Sequence, residues 1–159
     1  RLDRDTSGAV VIAKNARAAA VLTGHVEKQY IALVTGMPNP KHGVIDAPIG
    51  QPDRKNPRRM IVANGKPAVT EYETQIRCEG YSVVHCVLRT GRTHQIRVHM
   101  ASIGCPLLGD TLYGGETERI ERQALHCMQA SFIHPVDKRL CIVHAPIPKD
   151  MQKLIPLNQ

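Results

Sequence analysis

A chain of 159 residues with 42% apolar and 22% charged positions has the balance of a single globular domain, which sets aside a disordered polymer. No apolar run reaches membrane-spanning length and nothing at the start has a signal-peptide pattern; five cysteines without a CxxC pair speak against a disulfide framework or a zinc site. The net charge of +7 and pI near 9.4 favour a polyanionic partner such as RNA or DNA, while the lack of Trp and the single Phe speak against stacked aromatic platforms.

The elements follow in chain order. RLDRDTSG places four charges ahead of Ala9–Ala13, whose unbroken, β-branched apolar run predicts a strand buried on both faces. Asn15 predicts the cap of a short helix through the alanines to Leu22, which Gly24 stops. Lys28–Thr35 reads as the next strand, ending at Gly36, and Val44–Ile49 as a short extended piece. Gln51–Arg59, QPDRKNPRR, combines two prolines with four basic residues and predicts an exposed cationic loop.

Met60–Ala63 runs into an Asn64-Gly65 turn signal. In Ala68–Ile76, Ala68, Tyr72 and Ile76 share a face with Thr70 and Thr74, while Glu71, Glu73 and Arg77 take the other, a half-exposed strand. Tyr81–Leu88 is a more apolar strand, and the pair suggests an antiparallel meander. In RTGRTHQIRVHMASIG the period changes: Thr93 predicts the helix cap, Ile96, Met100 and Ile103 its buried stripe, and Gly104 its end. LLGDTLYGG is a loop in which Gly109-Asp110 and Gly114-Gly115 serve as turn residues. ALHCMQASFIHP is a strand or short helix and RLCIVHAPIP a last strand. The fold class is therefore α+β, with a large, mostly antiparallel sheet flanked by helices and loops.

Residue types alone leave the chemistry open. Asp3 and Asp5 would share a face in a strand, and in a turn either could cap; most surface carboxylates are solvated. Arg97 could pair with any nearby acid, and Tyr30 could simply fill the core. His94 and His99 stand about 140° apart on a helix of ~100° per residue, so they form no shared ligand face and no metal site is expected. The cations at positions 54, 55, 58, 59, 89 and 92 suit phosphates, with salt-dependent binding as the consequence.

RLDRDTSG, KQYIALVTG, GKPAVTEY, RTGRTHQIRVHM, GCPLLGDTLYGG and ALH with its trailing HP occur in this order. Together they resemble the RluA-type pseudouridine synthases, which modify uridines in ribosomal and transfer RNA, and the resemblance runs from Arg1 to the terminal APIPKDMQKLI. It implies a curved mixed sheet around an RNA cleft, a cytoplasmic enzyme, RNA as partner, no membrane, and an isomerisation that needs no cofactor; the oligomeric state stays open, with a monomer favoured. Residues 1–159 would be one catalytic domain, incomplete at its N-terminus, and between Asn15 and Tyr30 the chain is several residues shorter than the family pattern.

Residue by residue, the resemblance implies that Asp3 is the catalytic carboxylate, whereas Asp5 falls at a variable position. Arg97 corresponds to the arginine that pairs with that aspartate, where a guanidinium fork could grip the carboxylate with two bonds. Tyr30 corresponds to the active-site tyrosine, which stacks on the base and assists proton loss from its carbon 5. Arg1 would help displace the target nucleotide from its stack, Leu125 would line the pocket, and Arg92 would join them in binding substrate. Two rival readings remain: a noncatalytic RNA-binding module that kept the fold, and a hydrolase using Asp3 with Asp5.

Overall fold

A computed structural model describes residues 1–53 and 55–156 of the chain. Strand β2 (Glu27–Thr35) is its centre because both faces of its sequence are apolar: Tyr30, Ala32 and Val34 point one way, Ile31 and Leu33 the other, and all five are buried. It pairs antiparallel with β7 (Tyr81–Leu88) on one edge and with β8 (Leu125–Ile133) on the other. From β7 the sheet continues antiparallel through β6 (Val69–Arg77) to β3 (His42–Asp46). The far edge of β8 is divided: β1 (Ser7–Gly8) pairs in parallel with His126 and Cys127, and β9 (Leu140–His144) pairs antiparallel with Gln129 to Ile133. A separate two-stranded piece joins β4 (Ile49–Gly50) to β5 (Met60–Ile61).

Each face of the sheet carries its own apolar cluster. Helix α2 (Gln95–Ser102) sets Ile96 and Met100 against Tyr30, Val84, Cys86 and Leu107. On the other face Met151 of α3 (Lys149–Gln152) joins Ile31, Leu33, Val83 and Leu108. Full burial of such side chains stabilises by about 1.5–3 kcal/mol each. All five cysteine thiols are unpaired, and burial pushes that of Cys86 up to about 12.

Much of the expected local structure is present. Helix α1 (Ala16–Leu22) starts where Asn15 Oδ1 accepts the Ala18 N–H at 2.8 Å. The meander is β6 and β7, and ALHCMQASFIHP resolves as a strand because β2 supplies a full edge to pair with. The α+β class with a mostly antiparallel sheet holds.

Three expectations need correction. Ala9–Ala13 is neither a strand nor buried: Val10 is 48% and Ile12 81% exposed. The cause is competition for an edge. Beyond Cys127 the edge of β8 belongs to β9, with the Ala145 N–H already bonded to the Met128 carbonyl, so the chain has no ladder to join after Gly8 and Ala9. Thr93 does not cap α2; that position is His94, in the left-handed region at φ 57, and Thr93 Oγ1 instead accepts from Arg1. Ile103 lies past the helix end and is 37% exposed, so the buried stripe stops at Met100.

Candidate active site

Where β2 and β8 run beside the N-terminal turn, a hollow of about 200 Å³ opens. Arg1, Asp3, Tyr30, Arg92 and Leu125 all line it, so five of the six side chains singled out from sequence share one cavity. The sixth, Arg97, lies behind Asp3, with only 7% of its surface exposed.

The turn that carries Asp3 is shaped by its own backbone and fastened by side chains from the segment before β8. The Thr6 N–H donates to the Asp3 carbonyl at 3.1 Å and Asp5 takes a left-handed φ of 68, which reverses the chain. Gln123 Nε2 donates to the Arg4 carbonyl and, at 3.2 Å, to Thr6 Oγ1; Arg122 Nη1 donates to the Asp5 carbonyl at 3.1 Å. Gly8 then passes so close to β8 that a Cβ would lie 2.3 Å from the Cys127 carbonyl, and its φ of +120 excludes other residues. Asp5 points away from the hollow toward Arg4, and its side chain is half exposed. The two aspartates therefore do not form a pair.

Arg97 has two carboxylate partners, and they are unequal. Its Nε and Nη2 donate to the two oxygens of Asp110 at 2.7 and 2.8 Å, while Nη1 stands 3.7 Å from Asp3 Oδ2. The sequence-based expectation brought the right groups together but gave the fork to the wrong one: the bidentate grip falls on Asp110, and Asp3 receives the remaining charge at longer range. Burial works against the guanidinium's charge, yet the hydrogen bonds and charge of Asp110, with Asp3 adding, hold its pKa above the ordinary value. Its face also lies over the Tyr113 ring, 5.0 Å from the centroid.

Tyr113 ties this centre to the basic loop. Its hydroxyl accepts the Arg59 N–H at 2.8 Å and shares a hydrogen bond of 2.9 Å with His94 Nδ1, and Arg58 covers its ring at 5.5 Å. Burial and the Arg97 charge hold the His94 imidazole below its usual pKa, against the opposing pull of Asp3 and Asp110. His99 is buried elsewhere, donating through Nε2 to the Ala47 carbonyl at 2.9 Å and accepting Thr70 Oγ1 at Nδ1 at 2.9 Å. The two histidines thus serve separate networks.

Tyr30 is 5% exposed, and burial, with Cys127 and Asp3 nearby, pushes its phenol far above the ordinary range. It is a neutral hydroxyl on a ring wall. Arg1 Nη2 donates to Thr93 Oγ1 at 3.0 Å, and Arg92 Nε to the Pro67 carbonyl at 2.8 Å. Of the expected phosphate cations, Lys55 and Arg58 are exposed, Arg89 is held by two bonds to Glu71, and Arg54 lies outside the described residues.

Three contributors escape the sequence reading. Lys28 lines the hollow, and its spacing of two from Tyr30 on one strand is the signal that could have found it. Asp110 was assigned to a turn, although an acid buried to 1% demands a cation. Gln95 Oε1 accepts Thr90 Oγ1 and the Arg92 N–H at 2.8 and 2.9 Å, fixing the ridge of residues 90–92 along the rim; only its place beside Arg97 hinted at this.

Comparison with known proteins supplies the context. The pattern of the RNA pseudouridylate synthase family matches residues 1–102. The chain is 45% identical over 160 residues to an uncharacterized RNA pseudouridine synthase, YjbO, of Bacillus subtilis, covering 98% of this chain and 56% of that protein. It is 41% identical over 169 residues to the ribosomal large subunit pseudouridine synthase D of Nitrosomonas europaea, covering 98% and 49%. The solved structure of human RNA pseudouridylate synthase domain containing 1 aligns with a TM-score of 0.78 at 30% identity, covering 92% of this chain and 66% of that one. The chain spans about half the length of the curated relatives it matches. With the family pattern on most of its length and a fold shared at 30% identity, the chain belongs to the RNA pseudouridylate synthase family.

Proposed function

We propose that this chain is the catalytic part of an enzyme that isomerises specific uridines to pseudouridine in ribosomal or transfer RNA in the cytoplasm. One juxtaposition carries the reading: Asp3 lines a hollow with Tyr30 and Leu125 and faces the buried Arg97 at 3.7 Å. In the reaction the bond from ribose carbon 1′ to the base nitrogen breaks, the base turns, and carbon 1′ joins carbon 5. The carbon 5 proton leaves and a proton is gained at the freed nitrogen, so nothing is oxidised and no group is lost. An ionised carboxylate serves as nucleophile at carbon 1′ or as base toward a ribose proton, and either route needs it charged in a site partly closed to water. Arg97 offsets that cost.

In this reading Tyr30 offers its ring to the base. Its strongly raised pKa makes a free phenolate rare, so any proton it takes from carbon 5 must be matched by release of its own. Leu125 closes the apolar side, and Arg1 and Arg92 take the flanking backbone as the nucleotide leaves its stack. The cationic loop around Lys55 and Arg58 draws RNA in.

Asp3→Asn in the intact protein tests the assignment: we expect turnover to fall by at least about a thousandfold, with RNA affinity kept within about threefold. Near-wild-type turnover would reject Asp3 as the reacting group, and binding without any isomerisation by the unmodified protein would favour the noncatalytic module.

A further inference from the structure

Beside the hollow of Asp3 lies a larger one of about 590 Å³, and the two abut, since Arg1, Lys28, Leu88, Gly91 and Arg92 line both. Its size is that of an ordinary small-ligand site, about 300–1,000 Å³. Its lining combines two chemistries. Val11, Ala19, Leu22, Val26 and Leu88 are aliphatic, and Arg1, Lys28, Arg89 and Arg92 are cationic, with Leu88 paired directly across from Lys28. No acidic side chain is among its lining residues. That is more than the excess charge of the whole chain: the hollow beside His42 carries Glu71 and Glu73, and the one beside Arg122 carries Asp5, Glu121 and Asp150.

We propose that this second hollow receives the nucleotide next to the target uridine, its base against the aliphatic side chains and its phosphate on Arg1 and Lys28. The inference rests on the reading of the Asp3 hollow as the uridine site. Consecutive nucleotides are covalently joined, so filling one hollow brings the neighbour to the mouth of the other. A lining of both aliphatic and cationic side chains suits a base and its phosphate better than an inorganic anion or a lipid chain, each of which would use half of it.

Two guanidinium planes at this site are also held in place. Arg89 donates to both oxygens of Glu71 at 2.8 and 3.0 Å, and Arg92 Nε to the Pro67 carbonyl at 2.8 Å. A restrained guanidinium stacks on any base, because every base presents a π-face, so recognition here tolerates sequence. A base in this hollow has left its helix. RNA already unpaired at two consecutive positions, a loop or single strand, therefore fills both hollows at less cost than a duplex, which must first unstack and unpair.

The test uses the intact protein and fluorescein-labelled RNA hairpins with one loop uridine, together with derivatives in which the 5′ or the 3′ neighbour is abasic. Fluorescence anisotropy gives Kd, and isomerisation is followed in parallel. At one of the two positions, removal of the base should raise Kd about tenfold. Ala19→Trp, which fills the hollow from the exposed surface of α1, should bind the parent hairpin as weakly as the wild type binds that abasic one, and lose nothing further on it. Arg89→Ala, a milder change, should weaken parent binding about threefold and abasic binding not at all.

Equal wild-type affinity for the parent and both abasic hairpins would overturn the proposal, as would variant and abasic losses that multiply. Base-dependent binding of a parent hairpin that is never isomerised would uphold the second hollow and reject the enzymatic reading instead.

Discussion

The two walls that meet at Asp3 are held by different means. The α2 wall is a buried polar network: Gln95 is 2%, Arg97 7% and His99 0% exposed, and each is bonded on more than one side. The opposite wall, the N-terminal turn, hangs on hydrogen bonds from Arg122 and Gln123 and on a two-residue parallel bridge, and the chain that follows it is largely exposed. The difference separates two tasks. On the proposed function, the cation must stay where it is in a low-dielectric interior, while the carboxylate must be able to adjust to a sugar. A buried network suits the first and a tethered turn the second.

The largest effect should follow from breaking the network at its charge. Asp110→Asn leaves Arg97 buried with its strongest partner neutralised, which costs about 3–5 kcal/mol when a buried pair is broken. Urea unfolding measures it. The freed fork should also turn toward Asp3, lowering turnover beyond what lost stability explains. A stability loss under about 1 kcal/mol would mean that the two walls are not as unlike as their geometry indicates.

Next comes Gln95→Leu, nearly isosteric but without polar atoms. It strands the Arg92 N–H on the ridge and takes one partner each from Thr90 Oγ1, the Val69 carbonyl and Thr70 Oγ1, the last two keeping the Arg89 N–H and His99, at about 2 kcal/mol in all. Amide exchange at Arg92 should quicken in the native state, while amides of the N-terminal turn keep their rates. Coordinated loosening of both walls would break the comparison.

How much of this was legible follows the same division. β6 announces itself by alternation, β2 and β7 by short apolar runs, and α1 by its Asn15 cap, because those signals are local. The gathering of Asp3, Tyr30 and Leu125 came through motif resemblance, for nothing in their spacing brings three distant segments together. Asp110 was missed because Gly-Asp is good turn chemistry and its partner lies 13 residues away on another element. Ala9–Ala13 was misread because its apolar run satisfies every local rule for a strand, and the fault lies in β9 already holding the edge of β8.

A smaller effect comes from acidification. Burial holds the His99 imidazole below its ordinary pKa, against the pull of the Ala47 carbonyl and Asp46, and His94 is shifted the same way. The unfolded chain therefore takes up these protons first as pH falls. Their contribution is fully present above the ordinary histidine value, about 6.5, and drains away as pH drops from there toward the lowered folded value. His99→Gln, whose amide N–H can still reach Ala47, should flatten the slope of unfolding free energy against pH between about 6.5 and 5 without abolishing it, since His94 remains. An unchanged slope would mean that His99 is not held neutral by its surroundings.

The smallest expected effect is the sharpest test of the looser wall. Ile12, 81% exposed, and Leu33, fully buried on β2, are isomeric side chains in similar apolar runs. Leu33→Ala should cost about 2–5 kcal/mol through lost transfer energy and the cavity left behind. Ile12→Ser removes surface that is already in water, so stability should move by less than about 0.5 kcal/mol. If Ile12→Ser instead cost about 2 kcal/mol or more, the segment after Gly8 would be packed against something, and the turn bearing Asp3 would be anchored at both ends. A neutral result leaves that turn held by contacts at and before Ala9, those of Gln123, Arg122 and β1 among them, and Gln123→Ala should then lower turnover with a stability change of only about 1 kcal/mol.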